Sequence, residues 1–233
     1  MTNPLKNKAL NRAEVILYLI LFVFLGCSKQ QSQQAEMFYE YFPDAPGHFV
    51  VYDVDSVVYD DFTGQTLTYN YQVKELIESR FIDGEGTESL RLERYIRQTA
   101  SDSWEIKNIW QARRLPSRAE KTEENVTFIK LVFPPRQGQQ WNGNAYNTFP
   151  LQNYRITEAH KPYLITPTLT FDSTVTVLQN EFFTLISEDY QLERYAKNIG
   201  LVFKRYRKIT KQVDGTITSG VDYSYRIASY GKE

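Results

Sequence analysis

The chain has 233 residues, with 27 Lys plus Arg against 28 Asp plus Glu, so its net charge is close to zero. This balance argues against nucleic acid as a partner, because nucleic-acid binding relies on clustered positive charge. The single cysteine, Cys27, excludes an intrachain disulfide, so packing and hydrogen bonding must stabilise the fold. Seventeen Tyr and fourteen Phe favour strands, where aromatic side chains pack well.

The first 26 residues have the three parts of a secretory leader. Residues 1–14 carry three basic side chains against one acidic one, residues 15–25 are uninterrupted apolar, and Gly26 supplies a small side chain. Spanning a bilayer needs about 20 apolar residues, and this run is shorter. The pattern therefore predicts an exported protein, with residues 1–26 as the signal peptide.

The end of the leader also predicts a lipid anchor. The segment FLGC, residues 24–27, resembles the lipobox of bacterial lipoproteins, although Phe24 stands where Leu is usual. The resemblance implies that Cys27 carries palmitate and further acyl chains, which would explain a solitary cysteine in an exported protein. Ser28, where Asp would favour the inner membrane, implies by the same resemblance an outer-membrane location.

The polar residues that follow Cys27 have no periodicity and cannot bury a core, which predicts a flexible tether. We therefore expect three parts: the signal peptide at 1–26, the lipidated Cys and tether at 27–37, and one β-rich domain at 38–233. Without residues 1–26 the chain has 24 Lys plus Arg against 27 Asp plus Glu, a net charge of about −3.

Alternation of apolar and polar side chains, the signature of a half-buried strand, recurs along the domain. It is clearest in the segments LTYNYQVK, WEIKNIWQA and ITSGVDYSYRI. In WEIKNIWQA, the residues predicted to share a face are Trp104, Ile106, Trp110 and Ala112. Strands are predicted, in chain order, at residues 48–62, 67–74, 89–98, 104–112, 126–133, 168–179, 201–209 and 217–227. Residues 116–125 are predicted to form either a short exposed helix or a charged loop.

Short turns between these segments, such as Asp214–Gly215 and the stretch around Asn198 and Gly200, require antiparallel neighbours. The predicted fold is mainly β: a single antiparallel curled sheet of seven to ten strands, half-barrel or barrel-like, with a sandwich as the alternative. Residues 134–154, rich in Gly, Asn, Gln and Pro, are predicted to cover one mouth of the sheet, with Trp141 inserted.

Three segments, WNGNAYN, TLTFDSTVTVLQNE and ERYAKNIGLVFKRY, together resemble a set of uncharacterised β-rich lipoproteins from Bacteroidota. The matching positions are Trp141, Gly143, Val177, Gln179, Tyr195, Ala196, Gly200, Leu201, Val202 and Lys204. The resemblance implies a cell-envelope lipoprotein, and it implies no activity.

The candidate binding residues are Trp141, Asn142, Asn144 and Tyr146. Trp and Tyr rings stack on sugars, and Asn amides hydrogen bond to sugar hydroxyls. The alternative is structural: Gly and Asn make tight turns, and Trp141 fills the core.

The leading hypothesis is a non-enzymatic binding or assembly module that its lipid holds at the membrane. The expected partner is an apolar ligand, a glycan or an envelope protein, and no metal or cofactor is expected. The alternative is a carboxylate-dependent hydrolase of an envelope polymer. That alternative requires at least two of Asp53, Asp55, Asp83, Glu85, His48 and His160 to meet in one cleft.

The leader predicts that Cys27 is acylated. In a bacterium fed a labelled fatty acid, the wild-type chain should carry label and fractionate with membranes, and Cys27→Ala should lose both properties. Equal labelling of the two proteins would contradict the predicted anchor.

Overall fold

A computed structural model describes residues 36–167 and 169–233 of the chain. Cys27, the predicted signal peptide and nearly all of the predicted tether lie outside the described residues. The elements are a 3-10 helix (Tyr39–Tyr41) and strands β1 (His48–Tyr59), β2 (Thr66–Ile82), β3 (Glu88–Arg97), β4 (Glu105–Arg114), β5 (Arg118–Glu123), β6 (Val126–Val132), β7 (Gln140–Asn142), β8 (Asn153–Thr166), β9 (Leu169–Phe183), β10 (Ser187–Ala196), β11 (Gly200–Lys211) and β12 (Ile217–Lys232). Within those residues, no helix has the length and apolar character that a membrane span requires.

All twelve strands belong to one antiparallel sheet in the order β6-β5-β4-β3-β2-β1-β12-β11-β10-β9-β8-β7. Strands that follow one another in sequence are neighbours in the sheet, and β1 pairs with β12 in its middle. The two ends of the sheet, β6 and β7, approach each other, so the sheet is nearly closed and barrel-shaped. The predicted single curled antiparallel sheet is confirmed, with twelve strands instead of seven to ten.

The prediction for residues 116–125 is wrong, because Arg118–Glu123 forms strand β5. The inward-facing positions of this strand include Lys121 and Glu123, which line the interior of the sheet. A strand with charged side chains on both faces shows no apolar alternation, and the sequence pattern therefore hid it.

The predicted shared face of WEIKNIWQA is also wrong in part. Arg94 of β3 pairs with Asn108, and Tyr95 pairs with Ile106, so Lys107 is an unpaired extra residue. This β-bulge moves the residues before it to the opposite face of the strand. Ile106 is consequently exposed, whereas Trp110 and Ala112 face the interior.

Residues 36–47, the N-terminal plug, close one end of the interior. Tyr41 is fully buried, and its hydroxyl lies 2.8 Å from His160 Nδ1 and 2.7 Å from Ser173 Oγ. The backbone N–H of Asn198 donates to Glu40 O at 2.7 Å, which ties the plug to the β10–β11 turn. Met37, predicted to end the tether, packs against the same core, so packed structure begins before residue 38.

The open edge of β6 is joined to the region around β7 by three hydrogen bonds, which we call the seam. Ile129 N–H donates to Gly143 O at 2.9 Å, and Trp141 Nε1 donates to Ile129 O at 2.9 Å. Asn147 Nδ2 donates to Thr127 O at 2.8 Å. These bonds occupy groups that an unpaired edge strand would expose. Glu36–Glu233 is thus one compact unit with its own core.

Close packing at the seam predicts that Gly143→Ala destabilises the protein. A Cβ at this position would lie 2.3 Å from the Tyr154 ring, which is itself buried. Overpacking of this kind costs about 1–3 kcal/mol, measurable by urea unfolding. The control is Gly84→Ala, because a Cβ there has no neighbour within 4 Å. Equal stability of the two variants would contradict the described seam.

Candidate ligand-binding cavity

A cavity of about 480 Å³ occupies the interior of the sheet. Phe42, Pro43 and His48 line it at the plug end, and the exposed side chains of Lys107 and Glu124 mark its mouth at the opposite end. Small-molecule sites typically have volumes of about 300–1,000 Å³, so the cavity is of the right size for a ligand.

The plug end of the cavity is apolar. Ile77, Leu90, Leu92 and Ala112, which are all buried, form one cluster with Phe42 against it. These residues come from β2, β3 and β4, where the inward positions follow the period of two. Apolar surface of this kind favours an alkyl or aromatic group over water.

Nearer the mouth, four side chains from β5, β6, β10 and β11 form what we call the buried ion cluster. Lys130 and Glu193 are buried, and Glu123 and Lys204 are partly buried. Lys130 Nζ lies 2.8 Å from Glu123 Oε1 and 3.1 Å from Glu193 Oε1. Lys204 Nζ lies 3.5 Å from Glu193 Oε1, and the Tyr195 hydroxyl donates to Glu193 Oε2 at 2.5 Å. The cluster therefore joins β6 to β10 and β11 across the interior.

The cluster holds its charges despite burial. Burial by itself would raise the pKa of Glu123 and of Glu193, but the ammonium groups of Lys130 and Lys204 outweigh it, and both pKa values are lowered. Burial would lower the pKa of Lys130 and of Lys204, but the neighbouring carboxylates raise both. Four ionised groups thus face one another in the interior.

Arg94 of β3 forms a second charged group beside the cluster. Its guanidinium lies 3.6 Å from the centroid of the Trp110 ring, and its Nη1 donates to Asn108 Oδ1 at 3.1 Å. Glu75 Oε2 lies 3.4 Å from Arg94 Nε without forming a hydrogen bond, and Glu75 Oε1 accepts from Lys121 Nζ at 2.6 Å. Arg94 is only 4% exposed.

The four loop residues predicted to bind do not line this cavity. Trp141 takes part in the seam and packs edge-on against Tyr154. Asn142 Oδ1 accepts from the backbone N–H groups of Asn144 and Gln152, and Asn144 Nδ2 donates to Pro150 O at 2.7 Å. Tyr146 is half exposed. Their predicted role in binding stays a prediction. None of residues 134–154 lines the cavity, so the predicted cover over its mouth is not observed there.

Of the six candidate residues for hydrolysis, two pairs stay together, and neither pair lines the cavity. Asp53 and Asp55 share a shallow outer depression, where Gln72 Nε2 and Asn70 Nδ2 donate to them at 2.7 and 2.6 Å. Asp83 and Glu85, at the β2–β3 turn, both contact Arg113 Nη1.

The histidines are placed by other contacts. His48 Nε2 lies 2.9 Å from Ile199 O, and His160 lies against Tyr41 in the plug. Among the residues that the structure describes, no group of His, Cys, Asp and Glu is arranged to hold a metal ion.

Sequence reasoning missed the charged side chains of the cavity. One signal was available: Arg94 follows Leu90 and Leu92 at the period of two, so a charge occupies an inward position of an otherwise apolar face. Tyr195, Gly200, Leu201 and Lys204, matched on the lipoprotein resemblance, also line the cavity.

No protein-family model matches the chain, and no curated protein matches it. One similar solved structure is a protein from Bacteroides fragilis, provisionally described as exported and as having a YMCC-like fold. It is 12% identical to this chain, and the TM-score is 0.43. The match covers 82% of this chain and 98% of that one. Another, provisionally described as a lipoprotein, is from Parabacteroides distasonis; it is 12% identical, with 85% and 100% covered and a TM-score of 0.35. Both scores are low, and the family of this chain stays a prediction.

The buried ion cluster predicts how stability depends on pH. The lowered pKa values of Glu123 and Glu193 stabilise the fold above the unfolded Glu pKa of about 4.3, and this contribution is lost as the pH falls through the folded values. We therefore expect the free energy of unfolding, measured with urea, to be flat near neutrality and to fall below about pH 4.

Glu193→Gln should lower the stability at pH 7 by about 3–5 kcal/mol, because it leaves Lys130 and Lys204 with less buried negative charge. It should also make the fall in acid shallower. The control is Glu181→Gln, since Glu181 is half exposed and lies 4.0 Å from Arg155, a pair expected to contribute less than about 1 kcal/mol. Equal losses in the two variants would contradict the described cluster.

Proposed function

We propose that the protein is a cell-envelope lipoprotein whose barrel-shaped domain binds an amphipathic small molecule in the interior cavity, without catalysing a reaction on it. The observation that carries this proposal is the division of the cavity: apolar side chains line its plug end, and charged side chains line the half that leads to the mouth. A molecule with an apolar part and a polar part matches both ends.

The location rests on the leader, where a basic segment, an apolar run and Gly26–Cys27 follow one another. A tether of polar residues after a lipidated Cys27 would keep the domain close to the membrane surface. Amphipathic molecules are concentrated there, so location and cavity are compatible. The proposal includes an outer-membrane location, because Ser28 stands where Asp would favour the inner membrane.

A binding role is supported over hydrolysis by the placement of the carboxylates. Asp53, Asp55, Asp83 and Glu85 each hydrogen bond to a neighbouring side chain or ion-pair with Arg113, outside the cavity. The carboxylates inside it, such as Glu123 and Glu193, are paired with lysines and ionised. They are better suited to maintaining the interior than to transferring protons at neutral pH.

The proposal predicts saturable binding of N-phenyl-1-naphthylamine, a neutral apolar fluorophore, to residues 36–233, with displacement by dodecanol. Solvent extraction of freshly purified protein, followed by mass spectrometry, should also recover an amphipathic molecule. Leu92→Trp and the smaller change Ala112→Leu both fill the apolar end, and each should weaken fluorophore binding at least about tenfold.

The control is Ile106→Trp, which adds an indole to the exposed face of β4 and should leave binding unchanged. Circular dichroism and cooperative urea unfolding establish that each variant is folded. Absence of both saturable binding and a co-purifying molecule in the folded wild-type domain would overturn the proposal. Equal weakening by the control would place the fluorophore outside the cavity.

A further inference from the structure

Among the residues that the structure describes, those that line the cavity carry more positive than negative charge. Five cationic side chains line it: Arg94, Lys107, Lys121, Lys130 and Lys204. Four carboxylates line it: Glu75, Glu123, Glu124 and Glu193. The whole chain has a net charge of −1, so the interior is of the opposite sign to the molecule. An unpaired charge is costly to bury, and the excess positive charge therefore favours a partner of negative charge.

Two of the cations have incomplete partners within the protein. Lys204 shares one carboxylate oxygen of Glu193 with Lys130, at 3.5 Å against 3.1 Å, and it is also attracted by Glu123, which itself forms an ion pair with Lys130. At the mouth, Lys107 makes no ion pair with any carboxylate of the described residues, and its Nζ lies 5.7 Å from the centroid of the Tyr71 ring.

Arg94 provides an independent indication. It is almost fully buried, it lines the cavity, and its Nε has no hydrogen-bond acceptor among the described residues. Stacking on Trp110 holds the guanidinium plane in place. Glu75 Oε2 lies 3.4 Å from this nitrogen without forming a hydrogen bond. A buried donor without an acceptor is unfavourable, and a ligand oxygen is the group that would satisfy it.

We propose that the ligand of this cavity is an anionic amphiphile, whose carboxylate or phosphate head group pairs with Arg94, Lys204 and Lys107 while its alkyl chain lies toward the plug. This inference rests on the proposed function and specifies the class of molecule bound. Guanidinium and ammonium groups form charge-assisted hydrogen bonds with such oxygens, and the partly enclosed interior strengthens them.

The test compares four molecules that share a dodecyl chain: dodecyl phosphate, dodecanoate, dodecanol and dodecyltrimethylammonium. Each displaces N-phenyl-1-naphthylamine from residues 36–233, a compact unit with its own core, at concentrations below micelle formation. We expect both anions to bind at least about tenfold more tightly than the alcohol, and the cation to bind most weakly. The advantage of the anions should shrink as salt is added.

Lys107→Glu reverses a charge at the exposed mouth, where the fold should tolerate it, and should weaken dodecyl phosphate about fivefold or more, a larger loss than it causes for dodecanol. The matched control is Lys161→Glu, an identical charge change at an exposed position that does not line the cavity. Arg94→Met and Lys204→Met, checked by circular dichroism, should weaken the anions more than the alcohol.

The outcomes separate the two proposals. Equal affinity of the anions and dodecanol, or equal effects of Lys107→Glu and Lys161→Glu, would overturn the anionic head group and leave the amphipathic ligand standing. Failure of all four molecules to displace the fluorophore would overturn both. A preference for dodecyl phosphate over dodecanoate, or the reverse, would support the inference and identify the head group.

Discussion

Closure of the sheet is the constraint on which the rest of this structure depends. A twelve-stranded sheet that ended in two free edges would expose backbone donors and acceptors along β6 and β7. The seam satisfies the groups of Thr127 and Ile129 with the Ile129–Gly143 backbone bond and with the side chains of Trp141 and Asn147. Because the seam encloses the interior, the cavity and the buried ion cluster both depend on it.

The number of strands accounts for the cavity. An eight-stranded barrel is just wide enough for its own side chains to fill, and a barrel widens with each added strand. Twelve strands leave an interior that the inward residues do not fill, even with the plug packed into one end. The remaining space is divided into an apolar part near Phe42 and a charged part near Lys130 and Glu193.

Stabilisation of the fold does not by itself explain why charged side chains occupy this part of the cavity. Buried ion pairs often contribute no more than apolar residues of the same volume, because removing charges from water is costly. The cluster does, however, join β6 to β10 and β11, which are far apart along the sheet. With Arg94 it also gives the interior a polarity that matches one end of an amphipathic molecule.

Much of the fold could be predicted from local pattern. Alternation along segments such as residues 217–227, and turns at Asp214–Gly215, depend on neighbours in sequence, and these strands and their antiparallel arrangement are confirmed. Strand β5 could not be predicted in this way, because it carries charged side chains on both faces. The face of Ile106 could not be predicted either, because it is set by a bulge opposite Arg94 and Tyr95. A bulge is defined by the partner strand, which local periodicity does not contain.

The sequence by itself determined the strand-rich class, the antiparallel arrangement of neighbouring strands and the positions of the tight turns, because period-two alternation and turn residues act locally. It favoured a curled sheet over a sandwich, and the structure decided between them. Only the tertiary structure decided what lies inside. Lys130 and Glu193 are 63 residues apart in the chain, and Arg94 lies 131 residues from Tyr225, whose hydroxyl it approaches. No local pattern relates such residues: sheet order and closure bring them together, and a charged cavity is the result.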